Sequence, residues 1–450
     1  MSFKENFTWG VATASYQIEG AARTDGRGQS VWDMLCEKPG AVLEGHNGDV
    51  ACDHYNRYEE DVDLMADLGA KAYRFSVAWP RIMPEGIGAV NEKGLAFYDK
   101  LVDKLLEAGI DPWVTLYHWD LPLPLYHKGG WLNPDMPKYF ADYTRVVVDK
   151  LGDRVQNWMT LNEPQCFIWI GMYEGRHAPG DKLRWDEILL ASHHSLVAHG
   201  MATQVIRAHS KLPSKVGMAP VGSTAMPATD SPEDIAAAKK QIFKITENNI
   251  WSITWWMDPV VFGHYPEDGL KIFGTKMPKI SDADMAIIKQ PIDFFGQNTY
   301  QGDYIKAGEN GEPVKVPTPA GHPMTFIKWP VTPDCLYWGP KFFYERYGLP
   351  IIVTENGLSN QDWVSLDGKC HDPQRIDYLH RHLRELKRAS TDGVPIDGYF
   401  QWSFMDNFEW AEGYRERFGL VHVDYQTLKR TPKDSFYWYK QVIKTNGADL

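Results

Sequence analysis

Eight short runs of apolar and aromatic residues recur along the chain. Each ends in polar or aromatic side chains, and a longer amphipathic stretch follows. The runs are Phe7–Ser15, Ala72–Trp79, Pro112–Asp120, Val155–Glu163, Lys215–Val221, Phe294–Tyr300, Pro350–Asn356 and Gly398–Asp406. Between them the helical period takes over. Arg57–Leu68 sets apolar residues at 62, 64, 65 and 68, with carboxylates on the other face. Gly94–Ala108 repeats the pattern through Leu95, Tyr98, Leu101, Val102 and Leu105, and Gly109 stands where a helix-ending glycine would. Asp186–Ala208 and Gln374–Ala389 read the same way.

Strands alternating with helices imply parallel strands joined by right-handed crossovers. Eight such units, with no dinucleotide-binding glycine fingerprint after the first, predict an α/β fold: a closed (β/α)₈ TIM barrel with loop insertions. No Pro/Gly/Ser-rich linker interrupts the pattern, so residues 1–450 are expected to form one barrel domain. An open eight-unit sheet, or two α/β domains, is the alternative.

Composition narrows the function. With 43% hydrophobic and 24% charged residues, the 450-residue chain is of ordinary globular type. Its 47 Lys+Arg against 59 Asp+Glu leave a net charge of −12, which disfavours nucleic acid and anionic lipid as partners. Five cysteines, odd in number and without CxxC spacing, point to reduced thiols rather than disulfides or zinc. The first residues lack the apolar core of a secretory signal, and no run approaches the ~18 residues of a membrane span. A cytoplasmic location is expected, with the Asn6-Phe7-Thr8 sequon unused. A homo-oligomer is compatible with this reading. The surplus is aromatic: 18 Trp, 22 Tyr and 19 Phe, enough to suggest a surface that stacks on something flat.

In a barrel, chemistry gathers at the C-terminal ends of the strands. Those ends carry Tyr16-Gln17, Arg74, His118-Trp119, Asn162-Glu163, Asn298 with Tyr300, Glu355-Asn356, and Trp402. No cysteine nucleophile, phosphate-cradling loop or dense metal-ligand cluster is among them. The histidines His193, His194 and His199 fall on a helix without a carboxylate partner, so neither metal nor cofactor is expected.

Glu163 closes one hydrophobic run before Pro164, and Glu355 closes another before Gly357. A barrel could face the two across its mouth. Glycosidic cleavage needs such a pair, one protonated to assist the leaving oxygen and one ionised to attack or to activate water. Unlike surroundings would push their pKa values apart and so assign the roles. Arg74 is a candidate for keeping one of them ionised.

The ordered segments Phe7–Gly20, Tyr73-Arg74-Phe75-Ser76, His118-Trp119-Asp120, Thr160-Leu161-Asn162-Glu163-Pro164, Asn298-Thr299-Tyr300, Thr354-Glu355-Asn356-Gly357, Trp402-Ser403, Asn407-Phe408-Glu409-Trp410 and Arg417-Phe418-Gly419-Leu420 resemble the family 1 glycoside hydrolases. That group comprises β-glucosidases, β-galactosidases and 6-phospho-β-glycosidases. The resemblance spans nearly the whole chain. It implies a retaining mechanism, with Glu355 as nucleophile, Glu163 as acid/base and carboxyls about 5–5.5 Å apart. It also implies that Gln17, His118, Trp119, Asn162, Glu409 and Trp410 hold the sugar hydroxyls. Trp402 would floor the ring, while Arg74, Asn298 and Tyr300 support the nucleophile. The expected substrates are terminal β-D-glucosides such as cellobiose and aryl β-glucosides, in cellulose and polysaccharide degradation.

Two rivals are weighed. A 6-phospho-β-glucosidase needs cationic groups near Phe404–Ala411, where this chain has Glu409. A non-catalytic sugar-binding barrel would be expected to lack one carboxylate. Cys166, Phe167, Trp169, Ile170 and Trp329 are candidates for the aglycone wall. Gln165 replaces the Trp that often follows Asn-Glu-Pro in the resembled family, which leaves the aglycone preference open.

Overall fold

The computed structural model describes residues 2–246 and 249–450. Its first strand, Thr8–Ala12, pairs in parallel with Ala72–Ser76 on one side and with Ile396–Trp402 on the other. The sheet therefore closes on itself. In chain order the eight strands are Thr8–Ala12, Ala72–Ser76, Asp111–Tyr117, Asn157–Asn162, Lys215–Ala219, Phe294–Asn298, Ile351–Asn356 and Ile396–Trp402, all parallel and each beside its sequence neighbours. Six of the predicted runs contain their strand, and the other two overlap theirs, which start earlier, at Asp111 and Ile396. Burial on both faces explains why the runs read as nearly continuous apolar stretches rather than as alternation.

The predicted run ending at Asp406 overshoots its strand. Phe404 and Met405 stay buried, which keeps the apolar signal going, but the ladder stops at Trp402 and the 402–403 peptide is cis. The predicted helices appear as His54–Leu68, Glu92–Glu107, Trp185–His209 and Pro373–Thr391. Gly109 takes φ +70°, and its N–H meets Leu106 O at 3.0 Å while Ile110 N–H meets Leu105 O at 2.9 Å. That double bond ends the helix as its glycine promised.

Much of the aromatic surplus is core. Trp9, Trp79 and Trp158 are fully buried, and Trp79 stacks on Tyr143 at 4.8 Å. The closing helix Asp434–Lys444 buries Tyr439, but Tyr437 is exposed, so packing does not account for that residue. His193, His194 and His199 bond to Tyr265, Trp131 and Thr160 respectively, and, contrary to expectation, a carboxylate does face one of them: Asp284 Oδ2 lies 3.6 Å from His193 Nε2. Among the described residues no group of three or more His, Cys, Asp or Glu is arranged to hold a metal ion, and no helix is long and apolar enough to cross a membrane. A three-stranded sheet formed by Thr224–Pro227, Gly302–Ala307 and Pro313–Lys315 flanks the barrel and was not anticipated from the sequence.

Candidate active site

A cavity of about 260 Å³ opens at the C-terminal ends of the strands, and both Glu163 and Glu355 line it. Each sits where its strand must stop. Glu163 has φ +42°, a left-handed conformation that breaks the ladder. After Glu355 the chain passes so close to the eighth strand that a Cβ on Gly357 would lie 1.7 Å from the Trp402 carbonyl oxygen. Only glycine fits there.

The two carboxylates have opposite surroundings. Glu355 is buried, with Arg74 Nη1 at 2.5 Å from its Oε1 and the Tyr300 hydroxyl donating to its Oε2 at 2.6 Å. Arg74 is itself held by the Thr354 carbonyl at 3.1 Å and Thr115 Oγ1 at 3.2 Å. Burial, and then the Glu355 charge, push the Tyr300 phenol well above its ordinary value, so it remains a donor. A cation and a neutral donor thus face this carboxyl group.

Among the described residues, no such cation lies in hydrogen-bond range of Glu163. Its Oε1 accepts from Asn298 Nδ2 at 2.7 Å, and its Oε2 from the Cys166 thiol at 3.1 Å. Burial first, and the Glu355 charge second, raise its pKa to about 8. One hydrogen-bonded chain joins the pair. Asn298 Nδ2 also donates to Asn162 Oδ1 at 3.0 Å, and that oxygen accepts from Arg74 Nη2 at 2.5 Å.

Around this pair stand aromatic and amide groups. Asn162 Nδ2 donates to His118 Nε2 at 3.0 Å, which leaves the ring proton on His118 Nδ1 with no protein partner. Burial, followed by Arg74, holds that imidazole well below its ordinary pKa, so it stays neutral. Gln17 spends its Nε2 on the loop carbonyl of Phe408 at 2.8 Å and on Asn407 Oδ1 at 3.0 Å, leaving its buried Oε1 unpartnered. Trp402 lies at 5.8 Å and 22° from the His118 ring, and Trp410 packs 4.5 Å from Trp119. Trp119 and Trp410 take φ +76° and +50°. These are costly conformations for bulky residues, and they cluster at this cavity.

A model of glycosyl hydrolase family 1 matches residues 1–448. The chain belongs to glycosyl hydrolase family 1. It is 47% identical over 450 residues to the 1,4-beta-D-glucan glucohydrolase of Thermotoga neapolitana, covering 99% of both chains. It is 46% identical over 449 residues to beta-glucosidase A of Thermotoga maritima, again covering 99% of each. The solved beta-glucosidase from Thermotoga maritima in complex with glucoimidazole superposes with a TM-score of 0.91 at 45% identity, covering 99% of each chain.

The cavity wall of this family 1 chain differs from the aglycone wall expected from its sequence. Cys166, Ile170 and Trp329 line the cavity. Trp169 does not: it packs on Tyr173 at 4.7 Å and Trp185 at 5.3 Å, and its Nε1 meets Glu174. Phe167 is likewise turned into a cluster with Tyr117 and Trp131. The reason lies in Gln165–Glu174, which is a π-helix, so successive side chains fall out of the register that an α-helix would give. Val221 and Phe418, placed by the sequence in a strand run and a family segment without a site role, also line the cavity, and sequence reading missed Trp251, Ile327, Arg176, His177 and Glu412. The latter sit on insertions between strands and helices, where no periodicity marks them.

Proposed function

We propose that the chain is a retaining β-glucosidase in which Glu355 is the nucleophile and Glu163 the acid/base. The observation that carries this reading is the unlike pair. Glu355 is held by Arg74 and Tyr300 as an anion would be, and Glu163 retains its proton up to about pH 8. In the first step Glu355 attacks the anomeric carbon while Glu163 protonates the departing oxygen. In the second, Glu163, now ionised, takes a proton from the water that releases the sugar.

The remaining groups orient the ring. Asn162 Nδ2 has a second hydrogen free for the 2-hydroxyl, His118 Nδ1–H donates to a neighbouring hydroxyl, and Gln17 Oε1 accepts from another. Trp402 offers an apolar plane to the C–H face of the pyranose, and Glu409 a carboxylate to a vicinal diol. Trp119 and Trp410 wall the glycone end, with Cys166 and Trp329 toward the aglycone.

A free sugar is favoured over a phosphorylated one. Glu409 is only half-buried in the cavity wall, yet its carboxyl is raised well above the ordinary range by burial and by Glu416, Glu355 and Glu163. The Phe404–Ala411 loop that carries Glu409 holds no Lys or Arg to neutralise a phosphate dianion. The names of the relatives support β-glucosides and β-1,4-glucans as the substrate class. The free state of all five cysteines supports a cytoplasmic setting. The test is turnover of cellobiose, cellobiose 6-phosphate and an aryl β-galactoside side by side. Hydrolysis of cellobiose with β-glucose as first product is expected, and activity confined to the phosphorylated sugar would overturn the reading.

A further inference from the structure

The two oxygens of Glu163 have partners of different kinds. Oε1 faces Asn298 Nδ2, which can only donate. The amide cannot turn round, because Asn298 Nδ2 also donates to Asn162 Oδ1 at 3.0 Å, an oxygen fixed as an acceptor by Arg74 Nη2. Oε1 is therefore an acceptor whether Glu163 is ionised or neutral, and the acidic proton resides on Oε2. The partner of Oε2 is Cys166 Sγ at 3.1 Å, itself buried in the wall of the cavity.

A thiol suits that oxygen in both of its states. Facing Oε2⁻ it donates S–H; facing Oε2–H its sulfur accepts. We propose that Cys166 is a positioning residue for the acid/base step, holding the oxygen that gives and recovers the proton and reversing its own hydrogen bond as Glu163 changes state. This rests on Glu163 being the acid/base. The proton moves from Oε2 to the aglycone oxygen as the C1–O bond breaks and the C1–Glu355 bond forms. It returns to Oε2 from water as the C1–O(water) bond forms and the ester breaks. The sulfur never takes it.

The thiol stays a thiol throughout, because burial and then the Glu163 carboxylate push it well above its ordinary value. The other charged or titratable groups acting on Glu163 are Glu355, Arg74, Tyr300 and Glu409, with Arg176 acting on Cys166. None of them reaches Oε2 within hydrogen-bond distance, so the effect of Cys166 can be separated from theirs.

The test is the pH profile of kcat/KM for the parent, Cys166→Ser and Cys166→Ala. A hydroxyl donates to Oε2⁻ more strongly than a thiol, and a methyl does not donate at all. The basic limb is expected to move down by about 0.5 pH in the serine variant and up by about 0.5 pH in the alanine variant. If Cys166→Ala fails to fold, the direction in Cys166→Ser decides. In a Glu163→Ala background, Cys166→Ala should change azide-assisted turnover by less than about twofold. A basic limb that stays in place in every folded variant, or a Cys166 effect that persists without Glu163, overturns the proposal. If azide fails to rescue Glu163→Ala at all, the acid/base reading is lost, and the role of Cys166 with it.

Discussion

Arg74 Nη1 lies 2.5 Å from Glu355 Oε1, although the two residues are 281 positions apart in the chain. Both are buried, so the pair is screened little by salt. Arg74→Met should lower kcat/KM for an aryl β-glucoside by roughly 10²–10³-fold. It should also destabilise the fold by about 3–5 kcal/mol, since an uncompensated buried charge remains. Steady-state kinetics and urea unfolding check the two effects separately.

Glu355→Gln should abolish turnover. Glu163→Ala should instead spare the first step for an activated leaving group such as dinitrophenol, which needs no protonation, and stall the second. Azide can then attack the glycosyl-enzyme from the face that water uses and give a β-glycosyl azide. An α-azide from Glu355→Ala, where the shortened side chain leaves room for the anion, is the converse expectation. Recovery of a β-azide from the Glu355 variant would mean that the roles are reversed.

The raised pKa of Glu163 has a stability consequence. Its carboxyl ionises near 4.5 when unfolded and at about 8 when folded. Between those values the native state binds the extra proton, so stability falls as pH rises through the window. Glu163→Gln removes that loss. The variant should melt about 2–5 °C above the parent at pH 8 and show little difference at pH 4. Equal differences at both pH values would mean that the gain comes from packing and not from the charge.

A second buried network supports the loop that carries Glu409 and Trp410. Lys433 Nζ lies 2.7 Å from Asp406 and 2.6 Å from Asp362, and Arg417 meets the other Asp406 oxygen at 2.7 Å. Burial alone would raise Asp406, but Lys433 and Arg417 hold it well below the ordinary range. Its contribution is present above the unfolded pKa of 3.8 and is lost as pH falls below that value. Lys433→Met should cost about 3–5 kcal/mol at pH 7 and less at pH 3. Thermal melts across that range measure it.

The sequence by itself determined the barrel and the location of its chemistry. Each strand is buried on both faces, so its apolar run is visible without any neighbour, and Pro164 and Gly357 mark where two of those runs must stop. Glu163 and Glu355 could be picked out because a carboxylate at the end of an apolar strand is costly unless it is used. What the runs could not reveal is who meets whom. Arg74 with Glu355, Asn298 with Glu163, and Cys166 with the second Glu163 oxygen are contacts between elements that only closure and register of the barrel bring together. Periodicity is a local property, and these contacts are not local. The π-helix at Gln165–Glu174 shows the same limit at short range: it turns Trp169 away from the cavity and Cys166 toward Glu163, although both stand in the same predicted wall. Composition named the residue types of the site, but only tertiary structure buries Glu163 and sets Glu355 beside it, the two causes that raise the Glu163 carboxyl.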